Sequence, residues 1–353
     1  MKKSKKMITL LVVMVLCISC LAGCTKTTTA AKTEPTERTV TDMAGRTVTL
    51  PAEINKIGTF GAIGVLNAFV ETMGAGDKIC NEGSPSFVKS PSWTKYQYLF
   101  APQLPNCLPF QGADSEVLME NVLSVKPDVC LTMDTAMTDQ LTAQGLTVIQ
   151  LSWKKTEDVK PCITLLGEVL NKQDVATDYL AYFDKMVEDA NKLTKNIKET
   201  DKKKVVYGTI SEFTQPHLIA EWWIPAAGGI SVTGDSRTDA NTEKLVYTME
   251  DLLQWNPDVI IVTSKSEKET IMADARLADI TAVKDSAIYI MPRVAHVWGN
   301  RTTEQPLTIM WTMNKLYPEI MTNEALSEDI SYFYSHFFKY DFTNEQIQEI
   351  IGS

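Results

Sequence analysis

One phrase occurs twice in this chain. "LMENVLSVKPDVCLTM" runs from Leu118 to Met133, and "TMEDLLQWNPDVIIVT" runs from Thr248 to Thr263. Each reads Met-Glu, a short apolar run, Pro-Asp-Val and then a burst of apolar residues. Glu250 follows Glu120 by 130 positions, and Pro257 follows Pro127 by the same 130. The proline cannot continue a helix, so each copy predicts a helix that stops and turns into a buried strand. A single copy is an ordinary helix-to-strand connection, with a glutamate in the first turn favoured by the helix dipole. Two copies in one chain require two similar units.

The text around the copies supports this. "INKIGTFG" reads as a strand ending in glycines, "VLNAFVETMGAGDK" as a helix stopped by Gly74 and Gly76, and "PDVCLTM" and "LTVIQLS" as strands. The alternation resumes after residue 200 with "KKVVYGTI", "DVIIVTS" and "DSAIYIMP". This order implies parallel sheets covered by helices. Between the units, Val175, Tyr179, Tyr182, Met186, Ala190, Leu193 and Ile197 recur at steps of three and four, the stripe of one long helix. Asp174 begins it and the basic run Lys202 to Lys204 follows its end. The expected fold is α/β: two Rossmann-like lobes with parallel sheets, joined by one long helix acting as a strut, with a ligand cleft between them. A chain of 353 residues has length enough for two lobes. Its 44% hydrophobic and 22% charged content is that of a globular protein.

The first residues stand outside the fold. Lys2, Lys3, Lys5 and Lys6 precede a short apolar core and "LAGC", which resembles a bacterial lipobox. Residues 1–23 are read as a lipoprotein signal peptide and Cys24 as the lipid-bearing mature N-terminus; an ordinary secreted protein with a stray cysteine is the alternative. Residues 24–38 are read as a disordered tether. The N-terminal lobe spans 39–155, the linker region with the strut 156–200, and the C-terminal lobe with closing helices 201–353. Loss of residues 1–23 removes four lysines and no acids, taking the formal charge from −10 to −14. That charge argues against nucleic acid and against electrostatic attachment to acidic lipid. The expected membrane link is the lipid on Cys24 alone, at the extracytoplasmic face. Cys80, Cys107, Cys130 and Cys162 remain, without CxxC spacing, so a thiol zinc site is not expected. Cys130 reads as a buried thiol in a strand, and the sequence does not pair these residues.

From residue 39 to 352 the chain resembles the substrate-binding lipoproteins of ABC importers for iron-siderophores, haem and cobalamin. The likeness rests on the order of "VTDMAGRTVTLPAEINKIGTFG", "MGAGDKI", the twin phrases, the strut, "PAAGGISV", "VAHVWGNRTTEQPLTIMWTMNKLYPE" and "ISYFYSHFFKYDFTNEQIQEII". It implies that Glu120 and Glu250 dock onto arginines of a two-fold permease, a contact suited to carboxylate–guanidinium pairing. Thr248 caps the second helix with Asp251 in a capping-box-like pattern, whereas Leu118 cannot cap the first. The first helix then starts either near Glu120 or near Ser115, which makes Glu116 a competing dock. The implied partners are a permease dimer with its ATPase subunits and a small metal complex, and the protein is expected to be a monomer.

The ligand is expected at the carboxyl ends of the strands. Loops there contribute Phe60, Trp93, His217, Trp222, Trp223, Arg293, His296, Trp298 and Arg301. In an extended segment Trp222 and Trp223 point to opposite faces, so only one can face the cleft. Trp298, in a Gly-Asn loop, is expected against the ligand. His296 is either a surface or hydrogen-bonded histidine or a ligand contact. Arg301 either meets the ligand or pairs with Glu304. Trp255, Trp311 and His336 read as packing residues. Tryptophans with arginines favour a bulky or planar framework carrying negative charge. Ferric siderophores rank first, haem second with His296 or His217 as a possible axial ligand, and corrinoids third. No cofactor, no directly bound metal and no catalytic residue is expected. "GTFGAIG" is not G-x-G-x-x-G, no Walker lysine or G-x-S-x-G elbow occurs, and the three histidines stand apart in the sequence. A surface-anchored α/β enzyme is the remote alternative.

Overall fold

The computed structural model describes residues 38–236 and 243–352. The leader, Cys24 and all but the last residue of the expected tether lie outside them. Arg38, that last residue, already belongs to β1 (Arg38–Thr41), which pairs antiparallel with β2 (Thr47–Leu50). Its guanidinium donates to the carbonyls of Glu168 and Val169 near the end of helix Val159–Leu170, where carbonyls lack helical partners.

The first lobe is built on a parallel sheet of β3 (Ile57–Phe60), β4 (Val129–Thr132) and β5 (Val148–Gln150). The second carries β6 (Lys204–Tyr207), β8 (Ile230–Ser231), β10 (Val259–Val262) and β11 (Ile288–Ile290), all parallel, in the order β11-β10-β6-β8. The short strands β7 (Thr214–Gln215) and β9 (Leu245–Val246) pair antiparallel beside it. β3, β4 and β10 are buried along their whole length, which is why they read as unbroken apolar runs. Helix Ile63–Thr72 follows β3 and ends just before Gly74, whose φ of +60° is the left-handed turn a glycine allows without strain.

The strut is helix Gln173–Thr194. Its stripe buries Tyr179, Tyr182, Met186 and Ala190, while Leu193 near its end is exposed. Helix Val159–Leu170 folds back on it through Asn171 in a left-handed turn. A Cβ on Gly167 would lie 2.7 Å from that of Ala176, so the two helices approach closely only because that position is glycine. The linker is therefore a helical hairpin. The closing helices (Asn323–Phe333 and Asn344–Ile351) and the wide turn Tyr334–Phe338 between them return to the first lobe. Phe100 stacks on Tyr334 at 5.6 Å, Tyr96 meets Phe342 at 5.5 Å, and Phe337 meets Tyr179 at 5.5 Å. One apolar core consequently runs from lobe to lobe through the strut. Trp311 is fully buried there, Trp255 packs beside Tyr247, and His336 lies flat against Tyr332.

The twin phrases occupy equivalent places. Helices Met119–Val125 and Met249–Trp255 end at Lys126 and Asn256, both with positive φ, and lead into β4 and β10. Asp128 accepts the amides of Asn55 and Lys56 at 2.7 and 2.8 Å, and Asp258 accepts that of Lys204 at 2.8 Å. Lys56 and Lys204 in turn donate their Nζ to the carbonyls of Val125 and Trp255. Aspartate thus ties the start of the neighbouring strand, and lysine covers the end of the helix. Thr248 and Asp251 form the expected capping box, and Leu118 makes no side-chain cap. The first helix begins at Met119 rather than Ser115, so Glu120 is in its first turn. Glu116 bonds the amide of Asp114 within its own turn. Glu120 and Glu250 are exposed, and among the described residues the side chain of neither makes a hydrogen bond or ion pair.

The two acids of the phrase therefore separate by experiment. Asp128→Ala should destabilise the protein by roughly 1–2 kcal/mol and Asp258→Ala by about 1 kcal/mol, from loss of two amide bonds and one. Glu120→Ala and Glu250→Ala should change stability by less than about 0.5 kcal/mol. Denaturant midpoints of the four variants check this; equal losses at the aspartates and glutamates would contradict it.

Candidate ligand-binding site between the lobes

The loop Met291–Arg301 leaves the end of β11 and crosses to the first lobe. It is pinned by Glu304, a fully buried carboxylate just before helix Gln305–Leu316. Glu304 accepts the amides of Ala295 and His296 at 2.9 Å each, Trp298 Nε1 at 3.0 Å, the Thr302 hydroxyl at 2.7 Å and the Tyr334 hydroxyl. Trp298 is 0% exposed and donates its indole N–H to that carboxylate, so it sits in the core rather than on the cleft surface where it was expected. Phe60 is likewise buried, stacked on Phe110 at 5.5 Å. Trp222 and Trp223 lie on helix Ala220–Ala226, not in an extended segment. Trp223 is buried against Tyr207 and donates to the Gly299 carbonyl; Trp222 stacks on Phe183 of the strut. The aromatic lining expected of the cleft is thus reduced to Trp93.

Trp93, Arg293 and His296 do come together. The Arg293 guanidinium lies 4.7 Å over the Trp93 ring and donates to Ser92 Oγ at 2.8 Å, bridging the lobes. A cavity of about 570 Å³ opens beside it, lined by Ser92, Lys95, Tyr96, Ser264 and Ser266 among others. His296 packs on the other side, 5.0 Å from the Trp93 ring. A Cβ on Gly64 would fall 2.9 Å from His296 Nδ1, so this glycine lets the imidazole settle on the first turn of helix Ile63–Thr72. Burial, then the charges of His217 and Arg293, push His296 down to about 3; it is neutral at any physiological pH. Next to it, Gln97 donates to the Ala295 carbonyl at 2.9 Å and to Glu71 at 3.2 Å. Burial and the neighbouring Glu304 hold Glu71 well above the usual carboxylate range. Burial raises Glu304 as well, but its five hydrogen bonds oppose the rise, so Glu71 is the member of the pair held further toward the protonated form.

Arg301 and His217 line a second cavity, of about 760 Å³, with Trp153, Lys154, Lys155, Thr156, Glu157, Leu218 and Glu243. Arg301 does not pair with Glu304, which faces inward; it grips both oxygens of Glu243 at 2.5 and 2.7 Å. His217 Nδ1 lies 3.0 Å from the same carboxylate. Burial alone would raise Glu243, but the Arg301 and His217 bonds and charges outweigh it and lower it to about 2. Glu243, Lys154 and Lys155 were not among the residues singled out from sequence. The lysines come four and five residues after the end of β5, so the rule that ligands sit at strand ends could have found them. Glu243 stands in a polar stretch without a motif and gave no such signal. Among the described residues, no three His, Cys, Asp or Glu side chains are grouped to hold a metal ion. No described helix is long and apolar enough to cross a membrane.

The buried histidine makes a pH prediction. A folded-state value near 3 against an ordinary 6.5 means that the unfolded chain binds the proton preferentially. Stability from His296 is therefore complete above about pH 6.5 and lost as pH falls towards 3, on the order of 2 kcal/mol by pH 5. His296→Leu should flatten this part of the pH–stability profile, measured by denaturation at pH 7 and pH 5. An unchanged slope in the variant would overturn the assignment.

The profile of the family described as "Periplasmic binding protein" matches residues 86–295, more than half of the chain. The molybdate-binding protein MolA of Haemophilus influenzae is 24% identical over 341 residues, covering 86% of this chain and 91% of its own length. A periplasmic solute-binding protein from Veillonella parvula superposes with a TM-score of 0.77 at 24% identity, covering 89% of this chain and 97% of that one. The molybdate-bound MolA structure gives a TM-score of 0.72 at 21% identity, with 87% and 99% covered. Helicobacter pylori CeuE with bound Ni(II) gives 0.68 at 17%, with 89% and 99% covered. These structures share the two-lobed fold. The chain belongs to the periplasmic binding protein family: it is an extracytoplasmic solute-binding component of an ABC transporter and not an enzyme.

Proposed function

We propose that this protein captures a small anionic, metal-containing solute in the pocket of Arg301, His217, Lys154 and Lys155, and that a tetrahedral metal oxyanion of the molybdate type is the leading ligand. The observation that carries this reading is the withdrawal of Trp298, Phe60 and Trp223 into the core. Without them the aromatic groups left at the cleft are Trp93 and, in the wall of the basic pocket, Trp153, and the largest concentration of ligand-binding groups is basic. In a chain of net charge −10, a pocket with three cations and a histidine against Glu157 and Glu243 is a local attractor for anions. Guanidinium and ammonium donors suit an oxyanion, and Glu243 holds Arg301 in place to meet one. The name of the relative MolA agrees with this choice. A ferric chelate is the second reading, favoured by the Trp93 face beneath Arg293. Haem and corrinoid rank below it, since His296 is packed between Trp93 and Gly64.

Calorimetric titration with molybdate, sulfate, a ferric siderophore, haem and cobalamin tests the order. Saturable 1:1 binding of molybdate, weakened at least about tenfold in Arg301→Ala by loss of a charge-assisted contact worth some 1.5–3 kcal/mol, is expected. Binding of the ferric chelate alone would transfer the assignment to the second reading. Binding of none of the five would remove both.

Delivery is proposed to use the twin helices. Glu120 and Glu250 stand on equivalent exposed turns, and Leu123 and Leu253, three residues on, are each 41% exposed. A carboxylate beside an exposed leucine, repeated once per lobe, fits two equivalent sockets of a permease dimer. The N-terminal attachment is proposed to be lipid on Cys24, outside the described residues. In cells, Glu120→Ala, Glu250→Ala and Leu123→Asp should each reduce solute uptake while leaving solution affinity unchanged, and Cys24→Ala should lose lipid labelling. Parallel loss of affinity in the docking variants would place these residues elsewhere.

A further inference from the structure

We propose that Cys80 and Cys107 form a disulfide in the extracytoplasmic protein, closing the segment that carries Phe87 and Trp93. The argument is one of register. Residues 80–82 run as an edge segment beside β3, with Ile57 bridged in parallel to Ile79. On its far side, Glu82 is bridged in parallel to Pro109, and the Glu82 amide donates to the Leu108 carbonyl at 3.1 Å. Two residues back along both segments, Cys80 stands opposite Cys107. In-register neighbours on adjacent parallel strands are about 4.8 Å apart at Cα, inside the roughly 4.4–6.8 Å a disulfide spans. Cys107 has extended backbone (φ −84°, ψ 153°) as it leaves the turn Leu104–Asn106, as such a neighbour requires.

The same register excludes the rival pairing. Gly58 is paired with Cys130 of β4 and stands next to Cys80 on the other side. Cys80 and Cys130 are therefore two strand spacings apart, roughly 9–10 Å, beyond the reach of a disulfide without backbone movement. Cys162 is elsewhere, its Sγ 3.4 Å from Met43 Sδ and 3.5 Å from the Ser152 carbonyl. Exposure sorts the four in the same way: Cys80 and Cys107 are half-buried, Cys130 and Cys162 buried. The structure shows all four as thiols, the reduced form.

Oxidation requires a disulfide donor, either a protein dithiol–disulfide or a low-molecular-weight disulfide. The Cys107 thiolate attacks a donor sulfur to form a mixed disulfide. The Cys80 thiolate then attacks the Cys107 sulfur, and the donor leaves as thiols carrying the two electrons and two protons. Burial holds Cys80 up to about 12, and burial with Glu82 raises Cys107 less, so Cys107 is the first nucleophile. The closed loop contains helix Pro91–Phe100 and with it Ser92 and Trp93, the partners of Arg293. A link there restricts the segment that forms one wall of the interlobe contact.

The full chain, purified without reductant or treated while folded with oxidised glutathione, is alkylated, digested and analysed by mass spectrometry. The expected result is a linked peptide pair joining Cys80 to Cys107, lighter by two hydrogens, with Cys130 and Cys162 recovered as thiols. The oxidised form should melt at a higher temperature than the reduced form, a difference abolished in Cys107→Ser and in Cys80→Ser. A Cys80–Cys130 link overturns the proposal. So does a folded protein that keeps both Cys80 and Cys107 alkylatable after oxidant treatment.

Discussion

A single carboxylate, Glu304, holds together the place where the two lobes, the closing segment and the cleft loop meet. It is buried and collects five donors from four chain positions between Ala295 and Thr302 and from Tyr334. A charge taken out of water is tolerated when hydrogen bonds replace its hydration; here burial still raises the Glu304 carboxyl, and its hydrogen bonds oppose that rise. The consequence is positional: the amides it accepts fix the backbone of Ala295 and His296, and through them the direction of Arg293 and Arg301. Thr303, one residue earlier, extends the junction by meeting Thr72 Oγ1 at 2.7 Å and accepting from the Tyr179 hydroxyl of the strut. Every element that bounds the cleft is thus referred to one short stretch, Thr302 to Glu304.

The twin phrase shows how a repeated sequence divides its work. Pro-Asp-Val is repeated for folding: the aspartate ties the neighbouring strand, the lysine before that strand covers the helix end, and the apolar run becomes a central strand. The burial pattern of the ten residues from Asn121 to Cys130 is the same, position by position, as that of Asp251 to Ile260. The glutamate has a smaller part in folding: it stands in the first turn, where the helix dipole favours it, but its side chain is exposed and the leucine beside it is exposed too. Two exposed features in the same register, one per lobe, are what association with a two-fold partner would require.

Most of the architecture was legible because it rests on short-range pattern. Strands β3, β4, β5, β6, β10 and β11 fall where apolar runs and glycine or proline stops placed them, and the strut where its stripe lay. The site was less legible, and Trp298 explains why. A tryptophan flanked by Gly299 and Asn300 looks like an exposed loop residue. What buries it is an acid six positions later, a hydroxyl at Tyr334 and the carbonyl–hydroxyl bond to Thr308, none of which periodicity can detect. The Glu304 alternative for Arg301 fails for the reciprocal reason: Glu304 was the nearest acid in sequence but was already claimed, and Glu243, 58 residues away, was not visible as a partner.

The rigidity of the interlobe region has a consequence for transfer. The aromatic core is continuous from Phe100 through Tyr334 to the strut, and Lys95 pairs with Glu349 of the last helix. Large hinge closure would break these contacts, so a cleft preorganised before the ligand arrives is what they are expected to favour. Binding then loses little to reorganisation, which favours affinity. The contact of Arg293 with Ser92 and Trp93 is a partly exposed interlobe link, whereas the junction at Glu304 is buried. A partner that grips the two lobes at equivalent turns, one on each, is well placed to load that link, because force applied at the lobe rims reaches the cleft contacts before it reaches the core.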